Sequence, residues 1–190
     1  MKYKKLTRGF YLDSAENLAS HFLGKYLVHV TPRGRISGMI SEVEAYPAFL
    51  DDVSHGNKRT KRTEVMYKEG GYAYVYLIYG IHYQFAVVVN KKDIPEVVFI
   101  RAVIPDEGAE LMKSNFQKIV EHSRDLTKSP GNLCKSFGIS TGHYGVDITK
   151  NELFLENRGS YIPSENINIR SRIGIRQSIK GNRKKLNYSI

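Results

Sequence analysis

The chain has 190 residues, 41% of them hydrophobic and 25% charged, with a net charge of +10 and a pI of about 9.6. That length and balance fit one domain with a real core, and no apolar run is long enough for a transmembrane helix, so no membrane partner is expected. A single cysteine, Cys134, excludes an internal disulfide framework and reads as a small buried residue on a helix, while the basic excess favours phosphate-rich partners.

No apolar signal-peptide core follows Met1-Lys2-Tyr3-Lys4-Lys5, so a cytoplasmic location is expected, nucleoid-associated in a bacterium or nuclear in a eukaryote. Residues 13–24 predict a short helix, capped by Asp13 or Ser14, with Leu18, Phe22 and Leu23 as its apolar stripe and Gly24 as its stop. Strands are predicted over 26–30 and 36–46, joined as an antiparallel hairpin. Residues 48–69 show no periodicity and read as a long functional loop with a helical turn, rich in lysine and arginine. A tyrosine-rich strand follows Gly70-Gly71. A turn at Gly80-Ile81-His82 and strands over 83–90 and 96–104 come next. A helix is predicted from Pro105 to about Val120, with Asp106 and Glu107 in its first turn and Leu111, Phe116 and Ile119 facing the core. A second helix is expected over 132–137, and short strands over 153–155 and 171–176. The basic run 180–185 has no assigned fold. Short connections between consecutive strands predict an α+β domain spanning residues 1–190, with a curved antiparallel β-sheet and surrounding helices.

Two patterns carry chemistry. Glu42 and Glu44 fall on one strand face, about 7 Å apart, where one carboxylate can act as a general base and the other can tune it. A solvated strand edge gives the same spacing. Tyr72, Tyr74 and Tyr76 also share a face, either as a core stripe or as a stacking platform for bases beside the 58–68 cations. The histidines show no metal-ligand spacing, and no nucleotide-cofactor or serine-elbow motif occurs, so neither metal nor cofactor is expected.

Several pieces, taken in order, resemble the alkyladenine (3-methyladenine) DNA glycosylases of the mammalian type. They are Leu23-Gly24-Lys25, Glu42-Val43-Glu44-Ala45-Tyr46, His55, Thr60 with Arg62-Thr63, and Tyr74-Val75-Tyr76-Leu77-Ile78-Tyr79-Gly80. Ile100-Arg101-Ala102, Pro130-Gly131-Asn132-Leu133 and Arg172-Ile173-Gly174-Ile175 follow. The resemblance implies a fold like a formyltransferase C-terminal domain. It implies a monofunctional hydrolase that flips damaged purines out of double-stranded DNA and cleaves the N-glycosidic bond, acting as a monomer without a cofactor or lyase step.

Carried over, Glu44 is the general base for water, with Arg101 and the backbone carbonyl of Ile173 holding that water. Ala45, Tyr46, His55, Tyr76 and Ala86 form the base pocket, with Tyr46 on one face of the base and His55 with Tyr76 on the other. Tyr79 wedges into the minor groove, and Ile81 and His82 press on the adjacent groove. Lys58, Arg59, Arg62 and Arg172 meet phosphates. Two departures stand out. Ala86 replaces an asparagine to which exclusion of guanine is ascribed, which implies a roomier pocket. The chain also lacks tryptophan and the Pro-x-Arg-Phe element near its end, so the closing strand is expected to be shortened or recast. A non-catalytic nucleic-acid-binding module and an RNA-binding domain are the competing readings; retention of Glu44 and Arg101 disfavours the first, and the Tyr79 wedge disfavours the second.

Overall fold

The computed structural model describes residues 3–49, 51–117, 120–175 and 184–190. Its strands are β1 (Lys4–Lys5), β2 (Tyr26–Thr31), β3 (Gly34–Tyr46), β4 (Ala73–Ile78), β5 (His82–Val89) and β6 (Glu96–Glu107), followed by β7 (Leu153–Asn157), β8 (Asn168–Arg170) and β9 (Asn187–Ser189). They form one antiparallel sheet in the order β1-β7-β2-β3-β6-β5-β4, with β9 paired to β3 and β8. Helices α1 (Ala15–Phe22), α2 (Ala109–Phe116) and α3 (Pro130–Phe137) complete the expected α+β fold. No helix of the described residues is long and apolar enough to cross a membrane.

All three helices pack on one face of the sheet. Leu18 and Phe22 of α1, Met112 and Phe116 of α2, and Leu133, Cys134 and Phe137 of α3 join Phe85, Val87, Val98 and Ile100 in the main core. Local chemistry sets their ends. Ser14 caps α1 by accepting the Asn17 amide, and Glu96 fixes the helix to the sheet by accepting the Ala15 amide at 2.7 Å. Ser129 caps α3, Pro130 opens it, and Gly138 (φ 70°) ends it in the left-handed conformation. Cys134 is buried, as expected.

The opposite face carries a smaller, aromatic cluster. Alternation puts Tyr74, Ala86, Val88, Val97 and Phe99 there, with Tyr46, Tyr72 and Tyr76 beside them. The segment after Pro47, read from sequence as a loop with a helical turn, covers this face with two short helical turns, His55–Asn57 and Glu64–Tyr67. Val65 and Met66 are its apolar anchors.

One irregularity in β3 decides which side chains reach that face. Ile40 pairs with Val103 and Glu42 with Ala102, which leaves Ser41 as an extra residue. Before this bulge the core-facing residues are Ile36 and Ile40; after it they are Val43 and Ala45. The inserted residue flips the alternation and turns Glu42, Glu44 and Tyr46 away from the helix-covered core.

Two expected boundaries are corrected. No helix starts at Pro105. Strand β6 runs on to Glu107, because Pro105 sits opposite Gly38 at a register shift, where its missing amide costs no ladder bond. Glu107 binds Arg35 at 2.7 Å and Asp106 binds Arg158 at 2.5 Å, so these acids serve the sheet edge, not a helix dipole. Helix α2 begins only after Gly108 (φ 78°), where a Cβ would stand 2.5 Å from the Arg35 carbonyl. Among the described residues of the strand expected over 171–176, none is extended in the sheet: β8 ends at Arg170, and Ile173-Gly174 forms a turn. Arg176 and Ile119, and residues 180–183 of the basic run, lie outside the described residues.

Candidate active site

Glu44 is completely buried and fully partnered. Its Oε1 accepts the Ile173 amide at 2.8 Å and the Asn187 side-chain amide at 3.2 Å, and the Arg101 guanidinium lies 3.3 Å away. Its Oε2 accepts the Tyr46 hydroxyl at 2.9 Å. These donors compensate the burial of a charge that would otherwise be very unfavourable. Glu42 shares two of them, Asn187 at 2.7 Å and Arg101 at 3.0 Å, but keeps partial exposure. The two carboxylates therefore face the same way, as the strand spacing predicts, and the solvated-edge alternative does not apply to Glu44.

Three segments bring these donors together. Arg101 comes from β6, next to β3 in the sheet. Asn187 comes from β9, which pairs opposite Glu44. The Ile173 turn is held by Arg172, whose buried guanidinium forms a two-pronged ion pair with Asp51, with Nη2 at 2.8 Å from Oδ1, and donates to the Ala45 carbonyl at 3.2 Å. This corrects the phosphate role expected of Arg172. The side chain is internal and stacks 4.5 Å over the Tyr46 ring. Burial and the Glu44 carboxylate push the Tyr46 hydroxyl above its ordinary pKa, so it stays protonated and remains a donor.

In front of Glu44 lies an open cleft of about 680 Å³, a size suited to a small flat ligand. Tyr46, Arg101 and Ile173, which bond or ion-pair with Glu44, line it together with Phe99, His55, Arg62, Tyr76 and Ala86. Tyr74 and Tyr76 stack 4.9 Å apart, His55 meets Tyr76 edge-on at 5.0 Å, and His55 Nδ1 stands 3.1 Å from the Tyr74 hydroxyl. Burial, with Arg62 nearby, lowers the His55 pKa and favours the neutral ring. Arg62 stands 4.9 Å over the Tyr76 ring.

Not every expected residue reaches the cleft. The Ala45 side chain points into the main core, because strand alternation sets it opposite Glu44 and Tyr46; its backbone alone serves the site, through Arg172 and Leu186. Tyr79 and Gly80, both at positive φ (52° and 71°), form the tip of the β4–β5 hairpin. Tyr79 is 86% exposed and lines the cleft mouth. Ile81 and His82 line a separate cleft of about 430 Å³ against α3. Lys58 is exposed, while Arg59 is bound to Glu64 at 2.6 Å. Asn187, Asp51 and Phe99 belong to the site without having been signalled in the sequence. Asn187 sits in the diverged tail, which is recast as β9, and Asp51 sits in a loop without periodicity.

Comparison with known proteins bears on this arrangement. Residues 9–190 match the model of the methylpurine-DNA glycosylase (MPG) family. A protein of Natranaerobius thermophilus is 41% identical over 173 residues, covering 87% of each chain. One of Bacillus subtilis is 40% identical over 171 residues, covering 89% of this chain and 84% of the relative. One of Clostridium novyi is 38% identical over 160 residues, covering 80% and 79%. Each of the three carries the name "Putative 3-methyladenine DNA glycosylase".

Proposed function

The chain belongs to the methylpurine-DNA glycosylase family, and from that premise we propose that it is a monofunctional DNA glycosylase for damaged purines flipped out of duplex DNA. The observation that carries this reading is a buried, four-donor carboxylate directly behind Tyr46, Arg101 and Ile173, three of its own partners, which line an aromatic cleft. A pure binding surface has no need of a desolvated Glu44.

Glu44 activates the attacking water and stabilises positive charge developing on the sugar as the base departs. Its Oε1 is saturated by Ile173, Asn187 and Arg101, so Oε2 is the oxygen that takes the water proton. The Tyr46 hydroxyl leaves Oε2 as the ring stacks on the incoming base. Arg101 holds the water beside Glu44, together with the Ile173 backbone. Arg172, through Asp51, holds the Ile173 turn in register with Glu44. His55 and Tyr76 take the other face of the purine. Cleavage needs no amine nucleophile, and the described lining residues of the cleft include arginines but no lysine, which supports hydrolysis without a lyase step.

The DNA-facing side is the β4–β5 hairpin. A tyrosine at positive φ, where glycine or asparagine is favoured, and 86% exposed at a hairpin tip, is suited to fill the gap left by a flipped nucleotide. Lys58 meets phosphate. Arg62, an exposed residue of the cleft lining, meets the phosphate of the flipped nucleotide. Ala86 lies opposite both Tyr74 and Phe99 in the sheet, and its small side chain leaves room in the cleft for a purine amino group.

The test is base release from duplexes carrying hypoxanthine, 1,N6-ethenoadenine or methylated purines, with borohydride trapping in parallel. Release without a trapped covalent adduct is expected. Tight duplex binding with no release from any substrate returns the chain to the binding-module reading. Ala86→Asn should narrow the range by excluding guanine-derived lesions; an unchanged range removes Ala86 from specificity.

A further inference from the structure

His29, His143 and Glu152 are far apart in sequence, so no ligand spacing betrays them, yet the fold brings their side chains to one point. His29 is buried on β2, His143 ends the short helical turn Thr141–His143 after α3, and Glu152 precedes β7. Their ligand atoms all lie within 4.8 Å of one another. The two Nε2 atoms are 3.3 Å apart, the rings cross at 88°, and His143 Nε2 is 3.8 Å from Glu152 Oε1. Two imidazole nitrogens bound to one tetrahedral zinc at its usual bond length also stand about 3.3 Å apart. None of the three residues lines the cleft in front of Glu44.

The far ring nitrogens are anchored in the way that metal-bound histidines require. His29 Nδ1 lies 2.7 Å from the Phe137 carbonyl, which fixes its proton there and leaves Nε2 with a free lone pair. His143 Nδ1 has two backbone partners on Ser140, the amide at 3.1 Å and the carbonyl at 3.3 Å. Either tautomer of His143 is therefore satisfied. Without a cation, Nδ1 accepts the amide proton and Nε2–H donates to His29.

We propose that His29, His143 and Glu152 form a site for one zinc-class divalent cation, with a fourth position open to solvent. On binding, the proton leaves His143 Nε2 and a proton is taken up at Nδ1, where it bonds the Ser140 carbonyl; no net proton is released. Two imidazoles and one carboxylate suit zinc and its neighbours, whereas magnesium and calcium require more oxygen ligands. Glu152, the most exposed of the three, supplies the entry path and a compensating charge.

The bound cation fastens the segment between α3 and β7 to β2. That segment backs the base cleft. Tyr144, next to His143, packs on Tyr74 and bonds the loop at Val65 and Lys61, while Gly145 and Val146 pair with Ala73. The site is a structural clamp behind the aromatic wall and takes no part in the chemistry at Glu44.

Tag-free, chelator-treated protein titrated calorimetrically with Zn²⁺ should bind one ion per chain. Co²⁺ should give the intense visible absorption of a tetrahedral site, and Zn²⁺ but not Mg²⁺ should raise the melting temperature. Losing a ligand should weaken binding by at least the 10–100-fold typical of losing an outer-shell partner, in both His143→Gln and Glu152→Ala. Glu152→Ala, at an exposed position, keeps the test decisive should His143→Gln fail to fold. Absence of stoichiometric binding in the wild type, or undiminished binding in the folded variants, overturns the proposal.

Discussion

On the helix-covered face, β3, β5 and β6 present Ile40, Val43, Phe85, Val87, Val98 and Ile100, all without meaningful solvent contact. One residue further along, the same strands present Tyr46, Ala86, Phe99 and Arg101 to the cleft, with Glu44 buried behind Tyr46 and Arg101. The first face packs aliphatic side chains against three helices. The second packs tyrosines and a buried carboxylate beneath an irregular loop. Their difference shows how one sheet separates stability from chemistry: alternation gives each strand both tasks, and the matched register shifts at Ser41 of β3 and Arg101 of β6 turn the two strands over together. A carboxylate on the first face would have no donors. On the second it has four.

That separation can be broken at chosen points. Asp51→Asn strikes where the two faces depend on each other, because it strips a partner from the buried Arg172 and frees the Ile173 turn. Losing one partner of a buried pair costs about 3–5 kcal/mol, measurable by urea unfolding. Base release should fall as well. Ile100→Ala, on the helix face, should cost about 2–5 kcal/mol and leave the rate per folded molecule unchanged; a changed rate would blur the division. Tyr76→Leu, on the cleft face, should do the reverse. It should cost little stability and weaken engagement of the lesion by about 1–3 kcal/mol, the worth of one base–aromatic stack, read as lesion-specific over undamaged duplex binding.

The smallest effect concerns pH. His55 has a folded pKa below its ordinary 6.5, because burial favours the neutral ring. Between that ordinary value and the lower folded one, the unfolded chain binds more protons, so stability rises with pH in that window and is fully present above it. His55→Gln should flatten this part of the pH–stability curve relative to wild type. An identical slope in the variant would mean that His55 is not held neutral.

Much of this was legible from local pattern. The tyrosine strand, the Glu-x-Glu spacing, the capped α1 and α3, and the exposed hairpin tip follow from period-2 alternation, capping residues and turn chemistry. What escaped depended on contacts across the fold. Asn187 reaches Glu44 only because the tail pairs with β3. Arg172 reads as a surface cation until Asp51 meets it. The Ser41 bulge is set by pairing with β6, which no local propensity encodes. Acids after Pro105 looked like a helix start because a first-turn pattern and an ion-paired strand end share the same residues.

The most direct measurement compares single-turnover base release by wild type, Glu44→Gln and Glu42→Gln on one lesion-bearing duplex, with duplex affinity measured alongside. Loss of the general base should slow Glu44→Gln by on the order of 10²–10⁴-fold or more with affinity retained. Glu42→Gln, which touches the site only through Arg101 and Asn187, should lose far less. Equal losses in the two variants, or excision retained by Glu44→Gln, would contradict the assignment of Glu44 as the residue that activates water.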